Sequence, residues 1–360
     1  MKCTNKSFFN GKSFRKVRRK TKIAPANSWG FRKKTQHRKK IAVLLAVILV
    51  LAIIAAVALF FIQNYDVVAA YEKDTYTGSI YQSQLVTDQL CVVNEDVSSD
   101  AFQSDDEFHS VALFENQEYK VLYAQDVHEK IYPASTTKIL TAYIALKYGD
   151  LSETVTVGEN ALKIPSDSSV AWLSQGDKLT LEALLYALML PSGNDAAIAI
   201  AEHISGSVDA FVALMNEEAH LLGATNSNFT SPHGYQDENH YTTAYDLYLI
   251  FNQCLKNEKF IEIVSSYAYD AEIESASGAK RSVTWRQSNQ YVIGVQEIPD
   301  GIEVIGGKTG TTDEAGACLI QYVKDAATDT PYISIIMGAE TRPVLYENMT
   351  ALISTIKLEQ

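Results

Sequence analysis

Between Ile41 and Ile62 the chain runs through 22 apolar residues with no polar interruption. At about 1.5 Å per residue a helix of that length reaches ~30 Å, the hydrocarbon thickness of a bilayer, so a membrane-spanning helix is expected there. Residues 1–40 carry 15 of the chain's 31 Lys and Arg and no Asp or Glu. The positive-inside rule then puts that tail in the cytoplasm and the rest of the chain beyond the membrane, as a single-pass cell-membrane protein. A cleaved signal peptide is the rival reading, with Val68, Ala69 and Ala70 as a small-residue cleavage site. The length of the apolar run and of the tail before it favours an uncleaved anchor.

Beyond the tail, 16 bases face 43 acids. A body that binds nucleic acid shows the opposite sign, so no nucleic-acid partner is expected. Four cysteines are too few for a disulfide framework, and Cys91, Cys254 and Cys318 read as buried thiols with a single bridge left open. The seven histidines are scattered and form no HExxH, so neither a metal nor a cofactor is expected.

Hydropathy divides the chain into a basic tail (1–40), the span (41–62), a polar acidic stalk with a short packed portion (63–107) and a folded body (108–360). The body opens with a hairpin, Ser110–Phe114 and Tyr119–Tyr123. Helical periodicity follows from Ile139 to Leu146, then at Thr180–Leu190, Asp195–Ile204, Val208–Leu222 and Thr243–Leu255. Strands return at Gly301–Ile305, Ala315–Val323 and Tyr332–Met337, before a last helix at Val344–Lys357. Strands at both ends and helices between them predict one α+β body in which the terminal strands share a sheet.

Three strings carry chemistry together. Ser135-Thr136-Thr137-Lys138 opens a helix after Pro133, so that an amine one turn away can reach the serine hydroxyl. The spacing is common: Ser13/Lys16, Ser277/Lys280 and Ser354/Lys357 match it too. Its companions single out Ser135, because Ser192-Gly193-Asn194 and Lys308-Thr309-Gly310 are the only S-x-N and K-T-G in the chain. S-x-x-K, S-x-N and K-T-G in this order are the mark of penicillin-recognising serine enzymes. Lys138 is expected to face a solvated cleft, its pKa lowered by Lys308. His233 and His240 read as structural hydrogen-bond partners rather than triad members.

Over residues 108–357 the chain resembles the D-alanyl-D-alanine carboxypeptidases among the low-molecular-mass penicillin-binding proteins. The likeness lies in Pro133-Ala134-Ser135-Thr136-Thr137-Lys138, Ser192-Gly193-Asn194-Asp195-Ala196-Ala197, Ser231-Pro232-His233-Gly234, His240-Tyr241-Thr242-Thr243-Ala244-Tyr245-Asp246 and Gly307-Lys308-Thr309-Gly310-Thr311-Thr312. The resemblance implies the serine β-lactamase/DD-peptidase (transpeptidase-like) fold, a helix-flanked sheet beside a helical lobe with the site in the cleft between them. It implies a peptidoglycan stem peptide ending in D-Ala-D-Ala as substrate and β-lactams as covalent inhibitors.

By the same resemblance Ser135 is the nucleophile, Lys138 its base, Ser192 the proton relay and Lys308 a charge beside that relay. Asn194 would bind the substrate amide, Ser135 and Thr311 would supply oxyanion N–H groups, and Gly310 lies between the binding threonines. Thr309 and Arg342 would take the terminal carboxylate. Many members carry a further β-rich domain and a C-terminal amphipathic anchor. Here no room is expected for either, and Val304-Ile305-Gly306-Gly307 departs from the usual acidic lead-in to the K-T-G. A β-lactamase would need an E-x-x-L-N motif, which the chain lacks. A β-lactam sensor would need a larger cytoplasmic effector than the tail, and a non-catalytic penicillin-binding scaffold stays open.

Overall fold

The β-rich runs from the two ends of the body meet in one antiparallel sheet. The computed structural model of the chain, which describes residues 44–45, 47–52, 90–104 and 106–358, orders its strands β2-β1-β9-β8-β7. They are β1 (Ser110–Glu115), β2 (Lys120–Gln125), β7 (Ile302–Thr312), β8 (Gly316–Asp325) and β9 (Pro331–Ala339). β1 lies between its hairpin partner and β9, with Ala112 opposite Ala124 on one side and Ile335 on the other. The fold described is that of residues 90–104 and 106–358.

Side chains alternate across a strand, and here both faces are covered. Val111, Leu113, Leu319 and Ile336 join Leu345, Met349 and Leu352 of the last helix, α7 (Arg342–Ser354). Ala112, Phe114, Ile320 and Ile335 join the larger core on the other face. Burial of each large side chain is worth about 1.5–3 kcal/mol, which is why β1 is buried at every position.

The larger core is built around α1 (Lys138–Tyr148), which packs against α2 (Leu181–Met189), α3 (Asn194–Ser205), α4 (Val208–Leu221) and α5 (Ala244–Cys254). Local signals set these helices. Thr180, Ser207 and Thr243 each accept a hydrogen bond from the backbone N–H three residues on, and Gly206 closes α3 at φ 76°.

Two elements depart from the sequence reading. The strand expected at Gly301–Ile305 runs on to Thr312, so Lys308-Thr309-Gly310 lies inside β7. A second sheet, ordered β3-β4-β5-β6, is absent from that reading: β3 (Thr154–Thr156), β4 (Lys178–Thr180), β5 (Ala268–Glu274) and β6 (Lys280–Arg286), with α6 (Glu258–Ser265) leading into it. Its signal is the alternation of Tyr269, Ala271 and Ile273 before the turn at Gly278, diluted by exposed charges between them.

From the expected stalk, Cys91, Val93 and Phe102 are buried in the cores. Cys91, Cys254 and Cys318 are free and buried, and Cys3 lies outside the described residues. The tail and most of the expected span also lie outside them; within the span, 44–45 and 47–52 are helical with exposed side chains. Among the described residues no single helix is long and apolar enough to cross a membrane.

Candidate active site

Pro133 introduces a 3₁₀ turn, Ala134–Thr137, that feeds directly into α1. Thr136 closes it by bonding the Pro133 carbonyl through both its N–H (3.1 Å) and its hydroxyl (2.6 Å). Ala134 takes φ 47°, a strained conformation for a residue with a Cβ, and thereby sets Ser135 at the helix entrance. One turn on, Lys138 points back so that its Nζ lies 2.8 Å from Ser135 Oγ.

The solvated lysine expected from the sequence is corrected here: Lys138 is 0% exposed. Its Nζ donates to Asn194 Oδ1 at 2.7 Å and to the His233 carbonyl at 2.9 Å. Burial holds its pKa well below the usual lysine value, the charge of Lys308 lowers it further, and Asp195 works the other way. A neutral amine has two N–H bonds and one lone pair. Charged, Lys138 donates to all three oxygens; when the amine is neutral, the two acceptors without a proton take its two N–H bonds and its lone pair faces the Ser135 hydroxyl.

Ser192 comes from the link between α2 and α3, and Asn194 is the first residue of α3. Ser192 sits at φ 64° and is buried, and Gly193 is the N-cap of α3. A side chain at Gly193 would meet the Ala187 carbonyl at 2.9 Å and Asp195 Oδ1 at 2.7 Å, so the turn needs glycine for space. Asp195 has no role in the sequence reading. Its carboxylate accepts from the N–H groups of Ala171 (2.9 Å) and Leu173 (3.0 Å), fastening a cleft-wall loop to the start of α3.

β7 supplies the other wall. Lys308 is fully buried, and its Nζ donates to Ser192 Oγ at 3.0 Å and to the Thr309 carbonyl at 2.8 Å. Burial, then the charge of Arg342, lowers its pKa to about 7. Thr309 Oγ1 is 2.7 Å from Ser288 Oγ, a partner from the loop after β6. Gly310 lets the strand pass Ser135 closely, since a Cβ there would stand 3.1 Å from the Ser135 backbone nitrogen. Thr311 is exposed and lines a cleft of about 310 Å³ with Ser135 and Asn194. Arg342 opens α7, exposed to solvent, and reaches the cluster through its charge on Lys308.

Both histidines hold neutral, structural positions. His240 bridges Thr137 Oγ1 (2.9 Å) and the Thr230 N–H (3.0 Å), and burial lowers its pKa to about 4. The His233 ring accepts from the Tyr235 N–H at 3.1 Å, and burial with the Lys138 charge lowers its pKa to about 3. What the sequence reading missed is that His233 acts through its backbone carbonyl on Lys138, an interaction no side-chain pattern encodes.

Comparison with known proteins covers the body that holds these residues. Residues 98–341 match the peptidase S11 family model, described as D-alanyl-D-alanine carboxypeptidase. The chain is 33% identical over 240 residues to D-alanyl-D-alanine carboxypeptidase DacF of Bacillus subtilis (strain 168), covering 65% of this chain and 58% of that one. Against DacC of Escherichia coli (strain K12) it is 32% identical over 244 residues, covering 65% and 57%. The chain thus spans a little over half the length of these curated relatives. The crystal structure of the Streptomyces K15 DD-transpeptidase superposes with a TM-score of 0.64 at 29% identity, over 70% of this chain and 97% of that one. With the family model covering most of the body and a serine–lysine pair set against a K-T-G strand inside it, the chain belongs to the D-alanyl-D-alanine carboxypeptidase family.

Proposed function

We propose that this protein is a serine-type D-Ala-D-Ala carboxypeptidase that removes the terminal D-alanine of peptidoglycan stem peptides and is acylated by β-lactams. The observation that carries this reading is the fully buried Lys138 amine 2.8 Å from Ser135 Oγ, with two acceptors occupying its N–H bonds. Ser135 Oγ attacks the carbonyl carbon of the penultimate D-alanine while its proton passes to Lys138 Nζ. The oxyanion falls to the backbone N–H groups of Ser135 and Thr311, beside Gly310. On collapse the C–N bond breaks, and the departing amine takes a proton through Ser192, whose hydroxyl Lys308 holds at 3.0 Å. Asn194 binds the substrate amide, and Thr309 with the Arg342 charge receives the terminal carboxylate. Water then attacks the Ser135 ester, and acid product leaves.

We also propose that residues 41–62 anchor the protein in the cell membrane, with the basic tail cytoplasmic and the body outside. The length of the apolar run and the one-sided charge before it support this. The enzymatic reading is tested by incubating the protein with a peptide ending in D-Ala-D-Ala and assaying free D-alanine. Release is expected, and labelled penicillin should map to Ser135 alone. Penicillin binding without D-alanine release would leave a sensor or scaffold instead.

A further inference from the structure

The hydroxyl that is to receive the terminal carboxylate has a neighbour outside the three motifs. Thr309 Oγ1 lies 2.7 Å from Ser288 Oγ, so one of the two hydroxyls donates to the other. If Thr309 donated, its single proton would be spent on Ser288 and none would remain for the carboxylate. To serve the substrate Thr309 must accept from Ser288, which leaves its own O–H free. A hydroxyl that accepts while it donates is also the stronger donor, because the two bonds polarise each other.

Ser288 is held in place by buried amides on either side of it. Gln287 is 4% exposed and Asn289 is fully buried. Gln287 Oε1 accepts from the Ser288 N–H at 2.8 Å, and Gln287 Nε2 donates to the Val264 carbonyl of α6 at 3.1 Å. Asn289 Nδ2 donates to Gln321 Oε1 of β8 at 3.2 Å, and Asn289 Oδ1 accepts from the Tyr291 N–H at 3.1 Å. The residues flanking Ser288 are thus tied to two separate elements, one helix and one strand. Gln321 stands opposite Gly307 in the register of β7 and β8, two residues before Thr309. The Val264 carbonyl also abuts β7, since a Cβ at Gly306 would collide with it. The glycines of Val304-Ile305-Gly306-Gly307 therefore let β7 pass α6 at backbone distance, beside the carbonyl that anchors Gln287. An unpaired buried amide is costly, so these bonds hold the loop to one position.

We infer that Ser288 is a positioning residue of the carboxylate subsite and acts through Thr309. Ser288 donates to Thr309, and Thr309 donates to the terminal carboxylate of the departing D-alanine. The inference rests on the carboxypeptidase reading and adds to its site a residue that none of the sequence motifs contains.

The test uses two substrates that form the same acyl-enzyme on Ser135. Nα,Nε-diacetyl-L-Lys-D-Ala-D-Ala has a leaving group with the carboxylate, and Nα,Nε-diacetyl-L-Lys-D-Ala methyl thioester has one without it. Release of D-alanine and of methanethiol by the whole protein gives kcat/KM for each. Ser288→Ala should lower the peptide-to-thioester ratio on the order of tenfold, the weight of a hydrogen bond to a charged group. Ser288→Thr, which keeps the hydroxyl, should restore most of it. A general loss of structure lowers both rates together, so the ratio reads the subsite alone. Because Ser288 acts through Thr309, adding Ser288→Ala to Thr309→Val should lower the ratio no further. A parental ratio in Ser288→Ala, or a full additional loss in the double variant, overturns the assignment. Absence of D-alanine release by the unaltered protein overturns the carboxypeptidase reading itself, whatever the thioester shows.

Discussion

A lysine that takes a proton from serine near neutral pH must be held below its ordinary pKa, and Lys138 meets that demand through burial first and Lys308 second. Lys138→Ala should lower penicillin acylation and D-alanine release by at least about 10²-fold, and Ser135→Ala with Lys138→Ala should be scarcely worse than Ser135→Ala alone. Because the side chain is fully buried, the change also opens a cavity and strips the Asn194 and His233 oxygens of their donor. A loss of about 2–5 kcal/mol is expected in urea melts, and less for Lys138→Met, which keeps the stem. A Lys138→Ala protein that melts like the parent would contradict the burial, and one that still acylates at the parental rate would remove Lys138 as base.

Lys308 gives a pH signature at the same scale. Its folded pKa of about 7 lies below the ordinary lysine value, so between the two the unfolded chain binds the extra proton and the folded one does not. Stability therefore rises with pH across that window, by up to about 1.4 kcal/mol per pH unit from this group. Urea midpoints at pH 7 and pH 9 should diverge more for the parent than for Lys308→Met. Parallel slopes would argue against a buried, depressed lysine.

At the level of elements, the site depends on three segments approaching one another at backbone distance: the 3₁₀ turn, β7 and the loop at Gly234. Gly234 takes φ 79°, and a Cβ there would lie 1.8 Å from the Ala134 carbonyl oxygen and 2.5 Å from Thr137 Oγ1. Gly234→Ala must therefore displace the turn that presents Ser135. A drop of at least about tenfold in labelled-penicillin acylation is expected, with a lower melting temperature, since a strained φ alone costs on the order of 1–3 kcal/mol. Parental acylation in this variant would mean that the loop does not position the nucleophile. The glycine was visible in Ser231-Pro232-His233-Gly234, but its partner lies a hundred residues earlier in the chain, and no local pattern links them.

For the whole molecule, the anchor proposal has a direct consequence. Protease added to intact cells should remove the body and leave a fragment holding the basic tail and the apolar run. A full-length protein that survives this treatment inside the cell would refute the outward orientation. Within the body, two cores on opposite faces of one sheet mean that β1, β8 and β9 hold both at once. Truncation after β9, which deletes α7, should unfold the body and abolish penicillin binding, because one face of the sheet would lose its cover.

By itself the sequence determined the five strands of the larger sheet apart from the full length of β7, the helices other than α6, most helix starts and the three motifs, because each is written locally: in periodicity, in caps such as Thr180 and Thr243, and in residues three apart on one helix. It also singled out Ser135 among four matches to S-x-x-K, since Ser277 and Ser354 come after Ser192, Ser13 lies in the basic tail, and only Ser135 opens a helix after Pro133 with both other motifs downstream. Only the tertiary structure decided that Lys138 is buried rather than solvated, that its amine donates to Asn194 and a backbone carbonyl, and that the Arg342 charge acts on Lys308. It alone brought Ser288 against Thr309, and it alone joined β3 to β6 into a second sheet. The physical reason is the same in each case. Burial, pKa and convergence depend on contacts between segments distant in the chain, and side-chain type and spacing do not carry that information.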